Sequence, residues 1–153
     1  MNKLTLILRV FGFFKIPLIF FVKPTVVELT ETKCVVKIPL NRRTKNHLGS
    51  MYFGALGIGA DVAGGLHAWD MIEKSKQKIS LVFKSFKAEF VKRPEKDVYF
   101  ICEDGAKVAA LLKKVIETGE RHSQIMKIRA CTKTENGFED AALFDLELSL
   151  KKR

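Results

Sequence analysis

Residues 46–70 read NHLGSMYFGALGIGADVAGGLHAWD, and between Lys45 and Asp70 the only acidic or basic side chain is Asp61. Five glycines, Gly54, Gly57, Gly59, Gly64 and Gly65, fall in the part with helical character. Each glycine in a helix interior costs roughly 1 kcal/mol relative to alanine, so five amount to about 5 kcal/mol of intrinsic penalty. A helix with that deficit does not survive on a surface. A nearly uncharged helix of small residues suits burial against a curved sheet, whose strands can then approach closely from several sides. Two other readings carry less weight. Asp61 at the centre would cost roughly 2.5–3.5 kcal/mol in a membrane span, and no second span lies beside it. As a phosphate-cradling loop the spacing is wrong: after Gly57 and Gly59 the third fingerprint position is Val62, and no Gly-Lys-Ser/Thr follows.

Outward from this stretch, 153 residues with 47% apolar and 29% charged side chains fit a single domain with a real core. The net charge of +10 calls for an anionic partner such as nucleic acid, a membrane surface or a polyphosphate carrier like coenzyme A. The cations are scattered and no nucleic-acid-binding motif is present, which argues against nucleic acid. Cys34, Cys102 and Cys131 are dispersed and form no Cys-x-x-Cys pair, as in reduced core residues of a cytoplasmic protein. They and His47, His67 and His122 show no metal spacing.

Residues 1–24, MNKLTLILRVFGFFKIPLIFFVKP, are interrupted by Lys3, Arg9, Lys15 and Lys23, so the longest uncharged run is seven residues, too short to span a bilayer. No small-residue cleavage site follows the apolar core, which argues against a removable signal peptide. On a continuous helix Lys3, Arg9 and Lys15 project about 120° apart and leave no wide face free of charge. The segment reads as a helix over about residues 3–14, ended before Pro17 and docked on a domain spanning 25–153. Weak peripheral membrane contact is its second reading.

From Thr25 the period becomes two. A strand near Val26–Leu29 pairs across Thr30–Lys33 with one in which Cys34, Val36, Ile38 and Leu40 face one side. Long strand character at Ile79–Lys92 and Val98–Cys102 follows the glycine-rich helix. Phe83 and Phe86 sit on opposite parities, so a bulge or strong twist is expected there. Residues 104–118 form a short amphipathic helix with Asp104 as N-cap, Ala109, Leu112, Val115 and Ile116 inward, and Gly119 as its stop. Gln124–Thr132 and Ala142–Leu150 make a hairpin around Glu135-Asn136-Gly137. The sum is an α+β fold, a curved antiparallel sheet wrapped around one long glycine-rich helix.

The block Asn46-His47-Leu48-Gly49-Ser50-Met51-Tyr52, with Gly54-Ala55-Leu56 and Asp61, resembles the central helix of the hotdog-fold thioesterase superfamily, in a branch known as a domain of unknown function. Phe90-Val91-Lys92-Arg93-Pro94 and the ending from Asn136-Gly137 to Lys151 resemble it too. The resemblance implies a homodimer or dimer of dimers acting on acyl thioesters of coenzyme A or acyl carrier protein. No cofactor is required, coenzyme A being part of the substrate. In the phenylacetyl-CoA thioesterase type an Asn, a His-Gly-Gly at the helix start and an acid further along form the site. Here Asn46 and Asp61 match, and the triplet reads Tyr52-Phe53-Gly54.

Thioester hydrolysis needs a base or nucleophile, and donors aimed where the oxyanion develops. Asp61 is the candidate for the first, a carboxylate on an apolar helix with an expected perturbed pKa; its bland alternative is a buried acid satisfied by hydroxyls or backbone. The amides of Phe53 or Gly54 at the helix start are candidates for the second. Eight residues of helix separate them by about 12 Å, so the acid must meet a neighbouring chain's helix start. Asn46 either binds water or the thioester, or caps the helix. His47 is a further catalytic candidate, and the Tyr52 hydroxyl one to replace the histidine donor. His67 is placed to pair with Asp70. For the phosphates of coenzyme A the candidates are Lys92 and Arg93, then Lys84 and Arg129. A non-catalytic binder of acyl-CoA or fatty acid, and more weakly a dehydratase, stand as alternatives.

Overall fold

The computed structural model describes all 153 residues. Two helices come first, α1 (Lys3–Lys15) and α2 (Pro17–Val22), then strands β1 (Thr25–Leu29) and β2 (Cys34–Ile38). The central helix α3 (Phe53–Ser75) is followed by β3 (Ile79–Phe90), β4 (Val98–Cys102), α4 (Gly105–Thr118), β5 (His122–Thr134) and β6 (Gly137–Lys152). All six strands form one antiparallel sheet in the order β1-β2-β4-β5-β6-β3. β3 therefore pairs with β6 along one side and has no partner along the other.

The glycines of α3 are where the sheet comes closest. A Cβ on Gly59 would run into the Phe100 ring of β4, and one on Gly64 would sit 3.3 Å from Ile128 of β5. On the flank toward β3, Gly57 and Gly65 lie against the rings of Phe86 and Phe83. Twenty-three residues give α3 a length of about 34 Å, and eleven of them are buried. β6 supplies the opposite wall through Phe144, Leu146, Leu148 and Leu150, all at most 2% exposed. Its register with β3 shifts between Phe83 and Ser85, the bulge that the parity of Phe83 and Phe86 requires.

Several expectations are corrected. α3 begins at Phe53 rather than at Asn46, because residues 46–51 form a turn whose first residue bonds its own loop. The N-terminal segment is two helices: Pro17, unable to continue α1, opens α2, and the chain folds back where Gly12 meets the Phe20 backbone, 2.8 Å from a notional Cβ. Asp104 stands at the start of α4 without capping it; its carboxylate accepts from the Lys127 amide at 2.7 Å and pairs with Lys107. The inward face of α4 is Val108, Leu111, Leu112 and Val115, and Ala109 points to solvent. His67 does not pair with Asp70. Its Nε2–H donates to the Thr30 carbonyl at 2.8 Å, and Asp70 takes Lys74 instead, at 2.6 Å.

Candidate active site

α3 offers an incomplete start. Tyr52 occupies the N-cap position in an extended conformation and its side chain caps nothing. The amides of Phe53, Gly54 and Ala55 have no acceptor in the chain, while the Leu56 amide bonds the Tyr52 carbonyl. Asn46 is not the cap. Its Oδ1 accepts from the amides of Leu48 (2.9 Å) and Ser50 (3.2 Å) and from the Ser50 hydroxyl, holding the loop that turns into the helix. That loop is anchored by Met51 N–H to the Pro94 carbonyl and Tyr52 N–H to the Thr44 carbonyl.

A cavity of about 470 Å³ opens at this helix start. Asn46, His47, Tyr52, Phe53, Lys92 and Arg93 all line it, so six of the ten candidate residues share one site. Gly54 lies beneath it, with the Tyr52 ring so near that a Cβ at Gly54 would stand 2.5 Å from it. Tyr52 and Phe53 pack with their rings tilted by 54° and their centroids 4.8 Å apart, and Phe53 meets Phe90 of β3 edge-on at 6.4 Å. Lys92 pairs with Glu139 at 2.7 Å and Arg93 with Glu95 at 3.8 Å, both in exposed pairs that an anionic ligand can displace. Lys84, paired with Glu147 at 3.7 Å, and Arg129, whose Nε and Nη2 both donate to Asp140, line neither this cavity nor the next.

Asp61 faces a different space. Together with Gly65 it is set into an otherwise apolar cavity of about 270 Å³, enclosed by α1, α2, α3 and the first half of β3. Its carboxylate accepts no hydrogen bond and has no ion-pair partner, and burial pushes its pKa up from the ordinary aspartate value. The bland alternative of an acid satisfied by hydroxyls or backbone does not hold in this chain. Gly57, Asp61 and Gly65 fall on one face of α3 at four-residue intervals, the flank that looks over β3 and its unpaired edge. Within one chain the acid and the free amides thus occupy separate cavities, as the length of helix between them demands.

The comparisons with known proteins add a family. A model described as a domain of unknown function, DUF4442, matches residues 5–136. The chain belongs to the DUF4442 family. No curated protein matches the sequence. Among solved structures, the DUF4442 chain is similar to OLEI01261, a protein with unknown function from Chlorobaculum tepidum, at TM-score 0.84 and 13% identity over 98% of this chain and 95% of that one. It is also similar to PA5026 from Pseudomonas aeruginosa, described as "Probable Thioesterase", at TM-score 0.75 and 20% identity over 97% and 96%. A third is a mutant of thioesterase PA1618 from the same organism, at TM-score 0.71 and 13% identity over 97% and 94%. These likenesses establish the hotdog fold for this DUF4442 protein.

The sequence did not anticipate the second cavity, nor the part of α1 and α2 in enclosing Asp61. Its only signal was the run of Leu, Ile and Phe in residues 4–19, which leaves too many apolar side chains for one buried helix face.

Proposed function

We propose that this protein hydrolyses acyl thioesters of coenzyme A or acyl carrier protein, as a homodimer or dimer of dimers, with Asp61 as general base or nucleophile. The observation that carries the reading is an unpartnered carboxylate on a buried helix, in an apolar cavity beside an unpaired strand edge. As base, Asp61 takes a proton from water while the water oxygen bonds to the thioester carbon. The resulting oxyanion is held by free amides at the start of a partner subunit's helix. Collapse breaks the C–S bond, and the leaving thiolate recovers the proton, giving a carboxylic acid and a free thiol.

Pairing of two β3 edges, antiparallel, extends the sheet through both subunits and sets the two α3 helices side by side in opposite directions. Each Asp61 then approaches the other chain's Phe53 and Gly54. Asn46 and His47 line the approach to these amides, Tyr52 offers its hydroxyl to the carbonyl, and Lys92 and Arg93 are the cations nearest for the phosphates of coenzyme A. Lys84 and Arg129, drawn into their own ion pairs, are weaker candidates for that task.

Thiol release from a panel of short, long and aryl acyl-CoAs and from an acyl carrier protein tests the reading. Cleavage by the wild type, lost in Asp61→Asn, supports it; equal cleavage by both overturns the role of Asp61. A second reading, a non-catalytic binder of acyl-CoA or fatty acid, is favoured by the Tyr52 ring lying over Gly54 at the would-be oxyanion site. Saturable acyl-CoA binding without turnover would establish that reading in place of the first.

A further inference from the structure

α1 is apolar on two faces. Thr5, Leu8 and Gly12 face the domain, where the Thr5 hydroxyl accepts from the Val26 amide at 2.9 Å and the Asn2 side chain donates to the Val26 carbonyl at 2.7 Å. On the outward side Leu6, Val10, Phe13 and Phe14 follow one another at intervals of four, three and one residues, within an arc of about 100°. All four are exposed, Phe13 by 57% and Phe14 by 73%. Leu18 and Phe21 of α2 continue the exposed surface, and Phe13 packs edge-on against Phe14 and Phe20 with centroids 5.0 and 5.2 Å apart. A helix apolar all round is ordinarily covered on every side. Here nothing in the chain covers the outer face, and an apolar surface of this extent marks an interaction site.

The charges around it have one sign. Residues 1–27 carry Lys3, Arg9, Lys15 and Lys23 and no acidic side chain. Arg9, whose place on a continuous helix would have broken the apolar face, is turned back to the Pro24 carbonyl (3.1 Å) and the Thr25 hydroxyl (3.2 Å), so the outward stripe between Leu6 and Phe14 is uncharged. Lys3, Lys15 and Lys23 stand exposed around it, and Arg43 lies 5.5 Å over the Phe21 ring. No helix is long and apolar enough to cross a membrane.

We infer that the outward face of the α1–α2 hairpin lies on an anionic lipid surface, its leucines and phenylalanines entering the headgroup boundary and its lysines meeting lipid phosphates. Apolar side chains rimmed by cations on a short helix are the elements of interfacial binding. A second copy suits the face poorly: a twofold contact would bring the two lysine-rimmed faces together, like charge against like charge. A second copy also has another surface available, the unpaired edge of β3. The inference does not depend on the proposed reaction, although the same two helices roof the cavity of Asp61.

Sedimentation of the full chain with phosphatidylcholine vesicles, with and without phosphatidylglycerol, tests it. The expected result is pelleting with anionic vesicles that weakens with added salt. The partition coefficient should fall by about tenfold or more both in Phe13→Ser/Phe14→Ser and in the charge-reversed Lys15→Glu/Lys23→Glu. Both pairs of side chains are exposed, so neither variant opens the core, and far-UV circular dichroism verifies the fold. Failure of the wild type to pellet, or unchanged pelleting of both variants, overturns the inference. So does a lower molar mass of Phe13→Ser/Phe14→Ser in lipid-free buffer by light scattering, which would assign the face to a second copy.

Discussion

Asp61 carries a charge in water and has no partner in the fold. Because burial raises its folded pKa, the native state binds more protons than the unfolded chain once pH exceeds the ordinary carboxylate value. Its contribution to stability is therefore fully present at acid pH and is lost as pH rises through the folded pKa. Asp61→Asn should be more stable than wild type at neutral pH, the difference shrinking below pH 4, as thermal unfolding across pH will show. The same ionisation should place the acidic limb of the kcat/KM profile above the usual carboxylate range, and Asp61→Asn should lack the activity altogether. Gly59 presents the opposite problem, one of space. Helix propensity favours alanine there by roughly 1 kcal/mol, but the Phe100 ring stands where the methyl would go. Gly59→Ala should destabilise by about 1–3 kcal/mol in urea unfolding, and Phe100→Leu in the same chain should recover much of the loss. The thiols are quieter. Burial pushes Cys34 to about 12 and Cys102, its register partner across β2 and β4, to about 11. Cys131 is pushed up to about 12, also mainly by burial. A thiol reagent at pH 8 should titrate none of the three in the native protein and all three in guanidinium.

Among the strands, β3 has the longest edge that the chain leaves unpaired. It runs for twelve residues with one side unpaired, and Val82, Phe86 and Phe90 are about half exposed along it. An edge of that length normally pairs or is blunted. Val82→Glu/Phe86→Glu should reduce the molar mass by light scattering to that of a monomer and abolish thioester cleavage with it, since eight residues of helix hold the acid about 12 Å from the free amides of its own subunit. What could be read in advance follows period and composition. The alternation from Phe144 to Leu150 and the glycines of α3 revealed a sheet on a buried helix, because both patterns are local in sequence. The start of α3 was not legible. Asn46 looks like a cap, but its Oδ1 is satisfied within four residues by Leu48 and Ser50, and competition between a turn and a cap is decided by the whole loop. The fold-back at Gly12 was hidden for a similar reason. It depends on Phe20 arriving at a glycine eight residues earlier, which no periodicity reports.

At the scale of the whole molecule, the acid and the helix-start candidates lie in two separate cavities, and the division is what makes assembly part of the proposed chemistry. Asp61 could be recognised as isolated because one charge in a long neutral run stands out. Which cations would serve a carrier could not, because what separates Lys92 and Arg93 from Lys84 and Arg129, a place on the helix-start cavity, is set by the fold and not by their sequence neighbours. The strand order has a further consequence, for the time during which the chain is made. β3 ends at Phe90, and the strand that pairs with it, β6, begins only at Gly137. Until β6 has been made, β3 has neither edge bonded. The ladder that closes the sheet is thus assembled late and joins distant segments, the kind of contact that slows folding. Through that interval, a nascent chain shows a neighbouring ribosome's product not one open strand edge but two.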